Sequence, residues 1–107
     1  MVDSSYAVYN HVPLAAVGSK SGKGDGKWTQ ADLGGGVWEW NLDWFSDPFI
    51  SATCNDCAFV SNGGSASRVI RGSSWTNDAT FMLNSARTDY DPTFHVSSTG
   101  ARCARTP

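Results

Sequence analysis

Apolar and polar residues alternate most clearly between residues 37 and 44. Trp38 and Trp40 stand two positions apart with Glu39 between them, which is the period of a β-strand. The two tryptophans are therefore predicted to share one face of that strand, with Glu39 on the other. A second, shorter strand is predicted over Arg68–Arg71, where two apolar residues lie between two arginines.

Loops and turns are predicted for most of the remaining sequence. Residues 19–26 are rich in glycine, serine and lysine, and the turn-forming residues of 46–64 end any regular element there. Few periodic stretches occur between residues 75 and 99, and only residues 100–104 are typical of a closing strand. In residues 75–99, Asp89 and Asp91 flank Tyr90 in what the sequence suggests is a turn. A loop-rich, strand-containing domain is therefore expected.

Length and charge exclude several classes of protein. The 107 residues have room for one domain, and the formal net charge of -2 with scattered basic residues does not provide the positive patch that nucleic acid requires. No apolar run approaches the roughly 18 residues of a membrane span. The N-terminus lacks the features of a signal peptide. As written, the chain is predicted to stay in the cytoplasm, without nucleic-acid or membrane partners.

The chain contains 3 cysteines. Cys54 and Cys57 form a C-x-x-C pair in a loop-like setting, and a local disulfide is the prediction for this pair. Zinc is the alternative, but a structural zinc site needs four nitrogen or sulfur ligands, and the sequence has only Cys103 and 2 distant histidines to add.

The chain contains three short motifs, each occurring once. They are Asp-Leu-Gly-Gly-Gly-Val-Trp-Glu-Trp from Asp32, Arg-Val-Ile-Arg-Gly-Ser-Ser-Trp from Arg68, and Gly-Ala-Arg-Cys-Ala-Arg from Gly100. In order and spacing they resemble the formylglycine-generating enzyme (sulfatase-modifying factor) family, over about residues 17–105. The resemblance implies a variant of the C-type lectin fold, an α+β, loop-rich mixed fold with short antiparallel strands. It maps the chain to the C-terminal part of the family domain, so residues 1–107 are expected to form one domain truncated at its N-terminal side. Together with the C-x-x-C pair, it also allows an extracytoplasmic parent protein.

Two acidic residues bracket the glycine-rich turn of the first motif, and hard cations such as calcium bind carboxylate and carbonyl oxygens. The resemblance implies a structural calcium ion at this turn. Its ligands would be the side chains of Asp32 and Glu39 and the carbonyls of Gly35 and Val37. The alternative is a tight turn without metal, in which Glu39 pairs with an arginine such as Arg71 or Arg102.

The resemblance does not extend to the catalytic cysteines. The related enzymes carry a copper-binding cysteine pair shortly after the Gly-Ser-aromatic segment, where this chain has Asn77 and Met82 near the matching positions. No cysteine occurs between Trp75 and Cys103. An amide and a thioether do not replace two thiolates at a Cu(I) site. Oxidase activity and copper are therefore predicted to be absent, and Cys103 is expected to pack as a small apolar group.

A recognition surface is the favoured role for residues 76–98, where aromatic residues are mixed with small polar ones. The same region is variable in retroelement-diversified family members, which bind ligands and are not enzymes. The candidate ligand-binding residues are Thr76, Asn77, Asp78, Phe81, Tyr90, Phe94 and His95. Burial of Phe81 or Phe94 in the core is the alternative, and His95 is expected at the surface or partly packed.

These observations predict a non-catalytic module that binds an unknown protein or small molecule. The alternative is a degenerate or partner-completed segment of a sulfatase-modifying oxidase. A partial fold exposes strand edges and apolar area, which favours a homodimer with an interface of about 1,600 Å² or more. Residues near Trp28, Trp38 and Trp44 are expected in that interface.

Overall fold

A computed structural model describes residues 3–10, 13–48, 58–61 and 64–103 of the chain. The elements are β1 (Trp38–Trp44), β2 (Arg68–Arg71), a 3-10 helix (Ala79–Met82), β3 (Thr88–Tyr90) and β4 (Thr99–Gly100). The strands form one sheet in the order β3-β2-β1-β4. The β1–β2 and β2–β3 pairs are antiparallel, and β1–β4 is parallel. The sheet is therefore mixed, and the α+β label is not confirmed, because the 3-10 helix is the only helical element in the described ranges.

Two of the strands were predicted closely. β1 begins one residue after the predicted start and β2 has the predicted bounds, whereas β4 is confined to two residues. The sequence did not predict β3: Asp89 and Tyr90, which were expected in a turn, belong to this strand, and the turn begins only at Asp91. Thr88 and Tyr90 favour extended structure, but three residues are too few to show a periodicity. Pairing with β2 supplies the hydrogen bonds that define the strand.

The core is small and lies between β1, β2 and the N-terminal segment. Its buried apolar residues are Ala7, Val8, Trp38, Val69 and Ile70. Val8 forms an isolated parallel bridge with Gly35, whose φ is +77°. A Cβ at Gly35 would lie 2.2 Å from the carbonyl oxygen of Val8. Glycine is therefore required there, because any side chain would push the N-terminal segment off the turn.

Some expectations fall outside the described residues or are corrected by them. Cys54 and Cys57 lie outside the described ranges. Cys103 is exposed, so the expectation that it packs as an apolar group is wrong. The closing strand ends at Gly100, three residues before Cys103. Of the tryptophans expected near a dimer interface, Trp38 is only 7% exposed, in contrast to Trp28 at 72%. Within the described ranges, no helix has the length and apolar character needed to cross a membrane.

Candidate functional site

The glycine-rich turn carries an arginine bound by several oxygens. The Arg102 guanidinium donates to both carboxylate oxygens of Glu39, through Nε at 3.0 and 3.2 Å and through Nη2 at 2.6 Å. Its Nη1 donates to the carbonyl of Ala31 at 2.9 Å and its Nη2 to the carbonyl of Asp32 at 3.3 Å. The hydrogen bonds to Glu39 raise the pKa of Arg102 above its ordinary value. This arrangement is the arginine pairing that the sequence left open for Glu39, and Arg102 is the partner.

Strand register explains why Arg102 reaches this position. β4 runs parallel to β1 and pairs Gly100 with Glu39. Arg102 lies two residues after Gly100 in the chain. Its side chain therefore starts close to Glu39 and can reach the Glu39 carboxylate. A Cβ at Gly100 would lie 3.1 Å from a methyl group of Val37, a tight contact. A glycine at this position therefore lets β4 approach β1 closely.

Asp32 contributes to this site through its backbone. Its carboxylate Oδ2 accepts a hydrogen bond from the amide of Gly18 at 2.7 Å and so ties the preceding loop to the turn. The φ of Asp32 is +57°, a left-handed conformation that aspartate tolerates better than most residues. Asp32 thus holds the loop with its side chain and Arg102 with its carbonyl.

The donor set, as folded, does not fit a calcium ion. Calcium takes six to eight oxygens at about 2.3–2.6 Å, whereas both oxygens of Glu39 are hydrogen-bonded to the Arg102 guanidinium and the Asp32 carboxylate is bound to Gly18. The Arg102 guanidinium already lies between Glu39 and the carbonyls of Ala31 and Asp32. Calcium binding at this turn therefore stays a prediction of the resemblance.

Asn77, a candidate ligand-binding residue, lies at a junction of three segments. Its Oδ1 accepts hydrogen bonds from Trp38 Nε1 at 3.0 Å and from Ser74 Oγ at 2.6 Å, and its carbonyl accepts one from the amide of Asn10 at 2.9 Å. The Phe81 ring meets Trp38 edge-on, with 6.3 Å between centroids. Asn77 and Phe81 therefore help to hold β1, the turn after β2 and the N-terminal segment together.

Asp78 has a local structural role. It is the N-cap of the 3-10 helix, and its Oδ1 accepts hydrogen bonds from the amide and the hydroxyl of Thr80. These hydrogen bonds lower its pKa. The neighbouring candidate Thr76 is exposed, and its hydroxyl lies 2.8 Å from Ser74 Oγ.

A second group of candidates lies at the edge of the sheet. Tyr90 and Phe94 meet edge-on with 6.2 Å between ring centroids, and both rings are substantially exposed, at 40% and 58%. A turn at Asp91 produces this contact: its carboxylate accepts hydrogen bonds from the amide and hydroxyl of Thr93, and its carbonyl accepts one from the amide of Phe94. These bonds to Thr93 lower the pKa of Asp91. His95 follows on the surface, as predicted.

Strand pairing extends this aromatic pair across the sheet. Tyr90 of β3 is paired with Arg68 of β2, and Arg68 with Trp44 of β1. Directly paired residues share a face of the sheet. The Arg68 guanidinium lies over the Trp44 ring, 3.9 Å from its centroid, in cation–π geometry. We call Trp44, Arg68, Tyr90 and Phe94 the aromatic row.

Sequence reasoning missed half of the aromatic row as a site. Arg68 was assigned only to a strand, and Trp44 only to a strand and an expected dimer interface. Alternation does indicate which residues share a face of a strand. The irregular register between Trp40 and Trp44, however, means that the partner of Trp44 on β2 cannot be found by counting residues along β1. The paired partner of Trp44 was therefore not available from the sequence.

Comparisons with known proteins agree with this fold. The family model described as "Sulfatase-modifying factor enzyme 1-like domain" matches residues 6–107. Among solved structures, Treponema denticola variable protein 1 is similar, with a TM-score of 0.68 and 25% sequence identity. The similarity covers 92% of this chain and 35% of that protein, so the chain spans about a third of its length. A search of curated proteins gives no match. Since the family model covers nearly the whole sequence, the chain belongs to the sulfatase-modifying factor enzyme 1-like domain family.

Proposed function

We propose that this chain is a non-catalytic protein-binding module whose recognition surface is centred on the aromatic row. The observation that carries the proposal is the alignment of Trp44, Arg68 and Tyr90 across three adjacent strands. Tryptophan, arginine and tyrosine are the residues most enriched among interface positions that dominate binding energy. Here they are held on a paired sheet, so little conformational freedom is lost when a partner binds.

The chemistry of the row favours a partner that presents an acidic group beside apolar side chains. Arg68 is already oriented by the Trp44 ring and by a hydrogen bond to the carbonyl of Leu42. A guanidinium has five N–H donors, so further donors of Arg68 are available to a carboxylate. Leu42 and Val60 are 63% and 61% exposed, and the Val60 carbonyl accepts a hydrogen bond from Trp44 Nε1. They supply apolar area next to the row.

The environment of Asn77 supports a non-catalytic role. In the related oxidases a copper-binding cysteine lies near this position, whereas here Asn77 is hydrogen-bonded to Trp38 and Ser74 inside the fold. Residues 76–102 contain no cysteine. The resemblance places the variable residues of ligand-binding relatives in this C-terminal region, and the structural neighbour is named a variable protein.

The binding test uses peptides selected from a random displayed library against the immobilised chain. Selected peptides should be acidic with apolar flanks, and Tyr90→Ser and Arg68→Gln should each weaken them at least tenfold. Trp28→Ser is the matched control, because Trp28 is an exposed aromatic residue outside the row. Peptides that bind all three variants as tightly as the original chain contradict the proposal.

Two further measurements separate the alternatives. Sedimentation at micromolar concentration shows whether a second copy of the chain is the partner, in which case Tyr90→Ser should abolish the association. Incubation of a cysteine-containing sulfatase-motif peptide with Cu(I) and oxygen tests catalysis. Turnover of that peptide would refute the non-catalytic assignment and favour a degenerate or partner-completed oxidase.

A further inference from the structure

Two open cavities adjoin at Arg71, the last residue of β2. One has a volume of about 410 Å³ and extends towards Arg102, and the other has a volume of about 380 Å³ and extends towards Leu83. Leu33 and Arg71 line both cavities. Small-molecule sites are clefts of about 300–1,000 Å³ in which a few polar groups stand among apolar ones. Each of these cavities reaches that size.

Arg71 carries a positive charge that no carboxylate neutralises in the part of the chain that the structure describes. The ion pair at the first cavity joins Arg102 to Glu39. Nη1 of Arg71 instead donates to two neutral acceptors, the carbonyls of Asn84 and Ala86, each at 3.2 Å. These hydrogen bonds hold the guanidinium in place. Its Nε and Nη2 donors have no hydrogen-bond partner among the described residues, and they are available to a ligand.

A guanidinium that is held through Nη1 still offers its Nε and Nη2 N–H groups side by side, and this pair matches the two oxygens of one carboxylate. We propose that Arg71 binds the carboxylate of a small amphipathic molecule, whose apolar part lies against Leu33 and Leu83. A single uncompensated charge suits a monoanion. Leu33 and Leu83 are substantially exposed, so the ligand would remove their apolar surface from water.

The carboxylate site and the aromatic row lie on opposite faces of the sheet. Arg71 is paired with Glu39, whereas Arg68 is paired with Tyr90 and Trp44. Residues three positions apart in a strand point to opposite faces, and paired residues share a face. The inference therefore does not depend on the proposed recognition role of the aromatic row, and either one can fail while the other holds.

The experiment titrates the isotope-labelled chain with sodium hexanoate at constant ionic strength and follows its backbone amide signals. Wild type should show saturable shifts at residues that line the two cavities. Hexanamide has the same shape without the charge, and its Kd should be higher by about tenfold or more, because a charge-assisted hydrogen-bond pair is lost. Acetate keeps the charge but lacks the methylene chain, and it should bind about fivefold more weakly than hexanoate.

Arg71→Gln should raise the Kd for hexanoate by about tenfold or more. Arg87→Gln is the matched control, because it removes the same charge from a residue that borders neither cavity and whose guanidinium lies over the Phe45 ring. Its Kd should equal that of wild type. Leu83→Ser keeps Arg71 and should weaken hexanoate but not acetate, so it tests the apolar contact even if Arg71→Gln does not fold.

Three results would overturn the proposal. Hexanamide that binds wild type as tightly as hexanoate would mean that no charged group holds the carboxylate. An equal Kd for folded Arg71→Gln and wild type would mean that Arg71 is not the anchor. Shifts that do not saturate, or that are spread over the whole surface, would mean that the two cavities form no site for this class of ligand.

Discussion

Two adjacent serines, Ser73 and Ser74, should change stability in opposite directions when substituted. Both are fully buried in the turn after β2. Ser74 Oγ donates to Asn77 Oδ1 at 2.6 Å and lies 2.8 Å from Thr76 Oγ1. Ser73 Oγ has no hydrogen-bond partner among the described residues, and the φ of Ser73 is +69°. Ser73 therefore combines an unpaired hydroxyl with a backbone conformation that favours glycine.

The magnitudes follow from these two features. A buried hydroxyl without a partner costs about 1–3 kcal/mol, and a left-handed conformation costs an L-residue about 1–2 kcal/mol. Glycine at this position offsets about 0.5–1 kcal/mol of the gain, because it loses more conformational freedom on folding than other residues do. Ser73→Gly should therefore stabilise the fold by about 1–4 kcal/mol. Ser73→Ala removes only the hydroxyl and should stabilise it by about 1–3 kcal/mol. Ser74→Ala should destabilise it by about 1–2 kcal/mol, because a paired buried hydroxyl is lost.

Urea unfolding followed by tryptophan fluorescence measures these differences. An unchanged slope of free energy against urea shows that the unfolded states are comparable. In thermal unfolding, 1 kcal/mol corresponds to about 4–8 °C for a domain near this size. If Ser73→Ala and Ser73→Gly both lower the urea midpoint, the hydroxyl has a partner such as a buried water, and the reasoning is refuted. If Ser74→Ala is neutral, the bond to Asn77 does not contribute.

Three further predictions concern other parts of the fold. Asn77→Ala should lower the free energy of unfolding by about 1–2 kcal/mol, measured in urea, because it leaves the Trp38 indole N–H without its acceptor and removes one of the two partners of Ser74 Oγ. Gly35→Ala should prevent the N-terminal segment from docking, since its Cβ would collide with the Val8 carbonyl; loss of amide-exchange protection at the Val8 bridge is the readout. The lowered pKa values of Asp78 and Asp91 mean that their stabilisation is present above the usual aspartate value of 3.8 and is lost as pH falls through the lower folded pKa values. The variant with asparagine at both positions should therefore lose less stability between pH 6 and pH 3, and an unchanged acid limb would contradict this.

Local sequence patterns predicted the centre of the sheet better than its edges. β1 and β2 were recognisable because alternation or a short apolar run marks the buried residues within the strand itself. β3 was not, since three residues in a turn-rich segment become a strand only by pairing with β2. The aromatic row depends on the same pairing. Tyr90 and Phe94 were identified as exposed aromatic candidates, but their alignment with Arg68 and Trp44 is a property of register.

The glycine-rich turn shows a different limit of sequence reasoning. Its acidic residues and glycines were identified, and two partners for Glu39 remained open. Antiparallel pairing places Arg71 opposite Glu39, so pairing within β1 and β2 alone favours Arg71. The structure instead directs Arg71 to carbonyls of the segment before β3 and gives Glu39 to Arg102. That choice requires the parallel β1–β4 pair, which joins residues about 60 positions apart in sequence.

The same residues explain why a metal site and an arginine site are hard to separate from sequence. Both need a carboxylate at the start of a strand and backbone carbonyls from a preceding turn, and both leave the same motif in the chain. What distinguishes them is whether a cationic side chain enters from elsewhere in the fold. Here β4 brings Arg102 to Glu39, and the bidentate geometry leaves neither carboxylate oxygen without a hydrogen bond.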